Sequence, residues 1–192
     1  MPHSAIMLNF FCLIANQLME EVILVNEFDE VTGTMEKLEA HRKPILHRAF
    51  SVFLFNDQHK MLLQQRAHTK YHSGGLWTNA CCSHPRPGEA TLTAASRRIK
   101  EELGIDTSID FAFHFIYQAG FENGLHEYEF DHVFIGNFNG RLKPNPSEVS
   151  AYCYKSVQEI KNDLLIKPQL YTEWFKIALP KLEAYLNAIN AR

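Results

Sequence analysis

WTNACCSHPRPGEATLTAASRRIKEELGI, residues 77–105, carries the reading from which the rest of the fold follows. Residues 77–85 read as extended chain, Pro85, Pro87 and Gly88 turn it, and residues 89–103 read as a helix stopped at Gly104. Side chains alternate along extended chain, so Cys82 and His84 share a face and Cys81 points away. Cys81 takes the common fate of a buried structural cysteine. Cys82, with an imidazole beside it, is the candidate for chemistry. On the helix, Arg97 with Glu101 and Arg98 with Glu102 are i,i+4 pairs, which on most helices are solvated and worth roughly a few tenths of a kcal/mol. Here they follow directly on the cysteine strand, a strand-loop-helix order that can bring carboxylates to a metal-diphosphate group.

Outward from this unit, strand-like runs rich in aromatic and branched residues occur at 22–25, 50–55, 61–65, 111–119, 127–138 and 149–154. Helical segments follow at 157–166, behind a capping box of Ser156 and Glu159, and at 171–190, where Pro180 should kink or split the helix. No internal repeat or long linker interrupts the alternation, so the chain reads as one mixed α/β domain over 19–192. Residues 1–18 are expected to be an N-terminal appendage, or to lie upstream of a start at Met19. The apolar run 5–19 is broken by Asn9, Asn16 and Gln17, lacks a preceding basic residue, and is too short to span a bilayer.

The run Glu127-Tyr128-Glu129-Phe130-Asp131-His132 alternates, which puts Glu127, Glu129 and Asp131 on one face. Carboxylates side by side on a covered face need a metal, a shared proton or solvent; a solvated edge strand is the bland alternative. Ten histidines in 192 residues make metal or acid-base chemistry worth testing. His41, His47 and His84 together with Glu127 and Glu129 make an N3O2 set suited to Zn2+, Mn2+ or Mg2+. Nineteen Lys and Arg against twenty-two Asp and Glu leave a formal charge of -3, so no general positive field holds a nucleic acid or an anionic membrane. The 46% hydrophobic content can bury a core. Four cysteines without a C-x-x-C pair fit a reducing, cytoplasmic setting.

The strand-loop-helix is similar to the Nudix box, G-x5-E-x7-R-E-U-x-E-E-x-G-U, matched here by Glu89, Arg97, Ile99, Glu101, Glu102, Gly104 and Ile105. Ser83 stands in place of the first Gly and Arg98 in place of the Glu after the Arg, which weakens the acidic cluster that a Nudix hydrolase uses to activate water. The strings TGTMEK (32–37), HRAFSVFLFN (47–56), LLQQRAHTK (62–70), WTNACCSHP (77–85), HEYEFD (126–131) and TEWF (172–175) together resemble type I isopentenyl-diphosphate isomerases from about Met19 onward.

That resemblance implies a Nudix-like α/β/α sandwich with a mixed sheet. It also implies interconversion of isopentenyl and dimethylallyl diphosphate, in isoprenoid precursor biosynthesis, with no flavin or nicotinamide. By motif, Cys82 and Glu129 are the essential thiol and carboxylate, Tyr117 bonds the catalytic Glu, and Trp174 is an aromatic wall. Lys37, Arg66, Lys70 and Ser83 contact the substrate. His41, His47, His84, Glu127 and Glu129 hold one divalent metal, while Glu102 and the Cys82 carbonyl hold Mg2+ that arrives with the diphosphate. The expected partner is a small allylic or homoallylic diphosphate, with neither nucleic acid nor membrane involved, and the protein a monomer or weak homodimer. Moving a double bond through a tertiary carbocation needs two acid-base groups facing each other, and Cys82 and Glu129 lie on different strands. The other readings are a Nudix pyrophosphohydrolase, motivated by Glu89, Arg97, Glu101 and Glu102, and a non-catalytic metal-binding module, motivated by the histidines.

Overall fold

The computed structural model describes residues 20–121 and 124–191; the expected appendage 1–18, Cys12 and the start at Met19 lie outside them. The strands are β1 Glu21–Val25, β2 Val31–Glu36, β3 His47–Phe55, β4 Met61–Arg66, β5 Trp77–Thr78, β6 Cys81–Ser83, β7 Ile109–Gly120, β8 His126–Asn137 and β9 Val149–Lys155. The helices are α1 Lys37–Arg42, α2 Thr91–Leu103, α3 Val157–Ile166 and α4 Glu173–Asn190, with a 3-10 turn at Pro168–Leu170.

All nine strands form one mixed sheet organised around β3. Residues 49–54 of β3 are buried without alternation, as a strand covered on both faces requires. β8 lies parallel to β3 from His47↔Glu129 to Phe55↔Asn137, and β6 runs antiparallel on its other flank, with Ser51 opposite Cys82. β7 extends the sheet beyond β8, and β9 and β5 pair with β4. On one face α2 packs Ala94, Ala95, Ile99 and Leu103 onto Phe50, Val52, Leu54 and Cys81. On the other, Ile160 of α3 and Phe175, Leu179 and Leu182 of α4 cover Phe53, Met61, Leu63 and Val133. Burying each of these large side chains contributes roughly 1.5–3 kcal/mol. The layers are those of an α/β/α sandwich.

The helix of the opening stretch starts at Thr91, two residues later than expected, because Glu89 stays outside it: its carboxylate accepts from the Arg86 N–H and from Nε and Nη2 of Arg97. The helix ends as expected at Gly104, whose φ of +65° is left-handed and where a Cβ would meet the Lys143 carbonyl at 2.6 Å. Ser156 and Glu159 form the expected capping box. Pro180 does not split α4, which runs unbroken through it. The ring lies on the exposed side, and Ala178, Leu179 and Leu182 hold the turns before and after it in the core. β2 and α1 carry no strong sequence signal. β2 is a half-exposed outer strand of a hairpin, and α1 is a six-residue helix capped by Glu36, whose carboxylate accepts from the Leu38 and Glu39 N–H groups.

Candidate active site

The acidic face of β8 is covered, because β8 sits between β3 and β7 rather than at an edge. Glu127, Glu129 and Asp131 are all buried, which removes the solvated-edge reading. Two oxygens meet at one phenol: the Tyr117 hydroxyl on β7 lies 2.9 Å from Glu127 Oε2 and 2.6 Å from Glu129 Oε2. A phenol has one hydrogen, so the second bond needs a proton from a carboxyl. The environments decide which one. Burial and the charge of Glu129 push Glu127 well above the usual carboxylate range. Burial would raise Glu129 too, but His47 and His84 outweigh it and hold Glu129 well below that range. Neighbouring carboxyl groups driven apart in this way have separate proton roles.

Three imidazoles converge on Glu129. His84 Nε2 lies 2.9 Å and His47 Nε2 3.6 Å from Glu129 Oε1. The His41 and His47 ring centres are 4.9 Å apart, and both stand within 5.6 Å of the His84 ring. The register pair His47↔Glu129 brings two of these residues together, α1 supplies His41, and the chain leaving β6 supplies His84. One ligand atom from each of His41, His47, His84 and Glu129 lies within 4.8 Å of the others. Nδ1 of His41 donates to the Lys37 carbonyl and Nδ1 of His47 to the Ile45 carbonyl, both at 2.7 Å. This is the outer bonding that fixes a metal-binding imidazole, leaving the other nitrogen with its lone pair. His84 Nδ1 and His47 Nε2 are buried without a hydrogen-bond partner. Burial holds His41 below the ordinary imidazole range and lowers His84 to about 3, so both are neutral, as ligands must be. The donors therefore fit a divalent cation. Glu127, expected in the same set, is not among the four and sits one hydrogen bond away, across Tyr117.

Cys82 faces the cavity side of the sheet while Cys81 is buried against α2. The Cys82 thiol donates to Asn79 Oδ1 at 2.9 Å and lies 3.5 Å from Ser51 Oγ, which donates to Asp131 Oδ2 at 2.8 Å. Burial and the Asp131 charge push the thiol up, and burial with Glu129 pushes Asp131 to about 8. Asn79 is fixed by Val52 and Cys81 carbonyls accepting from its amide, and the Thr78 hydroxyl donates to its oxygen. The same Thr78 oxygen accepts from the Trp174 indole at 2.9 Å and the Thr172 hydroxyl at 3.2 Å. Thiol and aromatic wall thus share one hydrogen-bonded chain. Ser51, Asp131, Thr78 and Asn79 were not among the expected site residues; the alternation of β8 already put Asp131 beside Glu129, but nothing local points to the other three.

Cys82, Ser83, Tyr117, Glu127, Glu129 and Trp174 line one cavity. The same cavity is lined by the cations Lys37, Arg66, Lys70 and Arg98. Arg98 was expected only as a helix pair; it bonds Glu102 at 2.6 Å and stands 3.3 Å from Glu148, which also pairs with Lys70. Lys37 pairs with Glu20 at 3.0 Å. The guanidinium of Arg66 lies 5.1 Å over the Trp174 ring, and its buried Nε has no hydrogen-bond partner. Glu102 is buried with both oxygens engaged, one by Arg98 and one by the Gln64 amide at 2.9 Å.

Comparison with known proteins gives this arrangement its family. Residues 45–175 match the NUDIX domain. The isopentenyl-diphosphate Delta-isomerase of Pectobacterium atrosepticum is 47% identical over 171 residues, covering 89% of this chain and 96% of that protein. The chain belongs to the isopentenyl-diphosphate Delta-isomerase family. The member from Serratia proteamaculans is 42% identical over 165 residues, covering 86% of this chain and 92% of its own. Among solved structures, the DR0079 protein of Deinococcus radiodurans superimposes with a TM-score of 0.66 at 20% identity, over 77% of this chain and 90% of that one. A MutT protein from Methanosarcina mazei gives 0.60 at 18% identity, over 72% and 94%. These two share the isomerase family's fold, and the isomerase relatives share its sequence. Among the described residues, no helix is long and apolar enough to cross a membrane.

Proposed function

We propose that the protein interconverts isopentenyl and dimethylallyl diphosphate, with Cys82 and Glu129 as its two acid-base groups. One observation carries this reading: a thiol and a carboxylate on strands either side of β3 line a single cavity that is also lined by four cations. Cys82 stands opposite Ser51 and Glu129 opposite His47, so the two groups come from opposite flanks of β3, four residues apart along it, and reach the one cavity from different directions. One group adds a proton to the terminal carbon of the double bond, and the other removes a proton from the carbon on the opposite side of the resulting cation. Tyr117 holds Glu129 in place and connects it to Glu127, which carries the exchangeable proton. Asn79 and Ser51 hold the thiol. Trp174 turns its π-face to the cationic centre, a contact worth roughly 2 kcal/mol when desolvated.

Lys37, Arg66, Lys70 and Arg98 meet the diphosphate, with Ser83 as a further contact. His41, His47, His84 and Glu129 would hold a divalent metal, and Glu102 with the Cys82 carbonyl would hold Mg2+ that enters with the diphosphate. When bound, the first metal orients the Glu129 carboxyl and tunes its proton affinity. A pyrophosphohydrolase reading is disfavoured because Arg98 stands where the Nudix box has a Glu, which leaves the water-activating acidic cluster one carboxylate short.

Incubation with isopentenyl diphosphate in D2O tests substrate, proton chemistry and metal together. The expected result is dimethylallyl diphosphate with deuterium incorporated, lost on chelation and restored by Mn2+, Zn2+ or Mg2+. Cys82→Ala and Glu129→Gln are each expected to lower turnover by about 1,000-fold or more with the fold intact. Full turnover by either variant would refute the assigned roles.

A further inference from the structure

Tyr71 and His72 open the turn that runs to Gly75 and both line the cavity, and nothing in the proton chemistry above uses them. His72 lines the cavity. Its ring stacks on Phe121 at 4.8 Å and 25°, and stands edge-on to Trp174 at 5.8 Å and 81°. Tyr71 meets it edge-on at 4.5 Å. The backbone beneath holds Ser73 at a left-handed φ of +52°, costly for a non-glycine residue, and Gly75 at +77°, where a Cβ would strike the His68 ring at 2.8 Å. The shape is pinned at both ends. Arg66 Nη2 donates to the His72 carbonyl at 3.4 Å, the Gly75 N–H to the Arg66 carbonyl at 3.1 Å, and the Gln65 amide to the Gly75 carbonyl at 2.8 Å. A left-handed non-glycine residue kept by this many bonds indicates a position that must be held.

We infer that this turn seals the reacting cavity against water and that His72 is the closing group, acting through its ring as a wall. The inference rests on the isomerase reading. A tertiary carbocation next to water is captured: the water oxygen bonds the cationic carbon, a proton leaves to solvent, and the net reaction is addition of H2O to isopentenyl diphosphate, giving the tertiary alcohol diphosphate with no redox change. Trp174 walls one side of the cation, and the His72-Phe121 stack covers the edge that Trp174 leaves.

The test is product analysis in H2(18)O for the wild type, His72→Ala and His72→Phe. The wild type is expected to give dimethylallyl diphosphate free of label. His72→Ala is expected to divert about one turnover in ten or more to the labelled tertiary alcohol, and His72→Phe, which keeps an aromatic wall, to suppress it again. Isomerisation by His72→Ala at wild-type partitioning, with no labelled alcohol, overturns the seal. Should alanine fail to fold, His72→Asn, polar but without the full ring, is read by the same two outcomes. Failure of the wild type to isomerise counts against the functional reading itself, whereas a turning-over wild type beside a clean ring-loss variant counts against the seal alone.

Discussion

At the scale of single residues, the site depends on hydrogen-bond valence. Tyr117 has one hydrogen for two carboxylates, so its hydroxyl both orders and connects Glu127 and Glu129. Burial and the neighbouring carboxylates push its own ionisation well above the phenol range, which keeps it a donor. Tyr117→Phe is therefore expected to lower kcat by about 10- to 100-fold with KM within about 2-fold, since the phenol touches the carboxylates and not the diphosphate cradle; steady-state kinetics decides it. An unchanged kcat would remove Tyr117 from the proton path. The period of β8 made Glu127, Glu129 and Asp131 legible in the sequence as one acidic face. Thr78 and Ser51 were not legible: their partners Trp174 and Cys82 are 96 and 31 residues away, and no local pattern encodes a contact of that span.

At the scale of elements, the same limit separates strong signals from weak ones. The helix after the cysteine strand was legible because an apolar period, a Pro/Gly turn and a glycine stop agree. α1 was not, because six residues are too few for a period to show, and His41 joins the metal donors only because this helix turns back against β8. β3 and β8 were each legible as strands, but their parallel pairing depends on the intervening β6, α2 and β7, which makes the pair His47 and Glu129 a product of topology. The α2 stop should be sharply selective. Gly104→Ala puts a Cβ onto the Lys143 carbonyl at a left-handed φ, and is expected to cost about 2 kcal/mol or more, read as a lowered midpoint in urea. A loss below about 0.5 kcal/mol would mean that the Lys143 backbone yields.

At the scale of the whole molecule, the buried titratable groups set a pH window. Burial lowers His72 and His84 to about 3. Below pH ~6.5 the unfolded chain takes up protons at these residues and the folded chain does not, so stability falls as pH drops from there. Burial and Glu129 raise Asp131 to about 8. Here the folded chain keeps a proton that the unfolded chain releases near pH 4, so this contribution is lost as pH rises toward 8. The metal-free protein should be most stable near pH 6 to 7 and weaken on both sides, as chemical denaturation across pH 4.5–8.5 would reveal. Asp131→Asn should lessen the loss of stability with rising pH over the whole span from about pH 4 to 8, leaving the part due to Glu127; a profile unaltered by that change would assign the alkaline limb to other groups.

The carboxylates of Glu20 and Glu148, waiting beside Lys37, Lys70 and Arg98, bear on how a catalytic cycle ends. A receptor for a highly charged anion that left its cations bare would grip its product as firmly as its substrate. On the proposed reading, in which those three cations meet the diphosphate, each has a resident counter-charge to return to when the anion departs. Dissociation is thus an exchange of partners rather than a loss of them, and the enzyme resets without the binding that positions the reactant becoming the step that delays the next one.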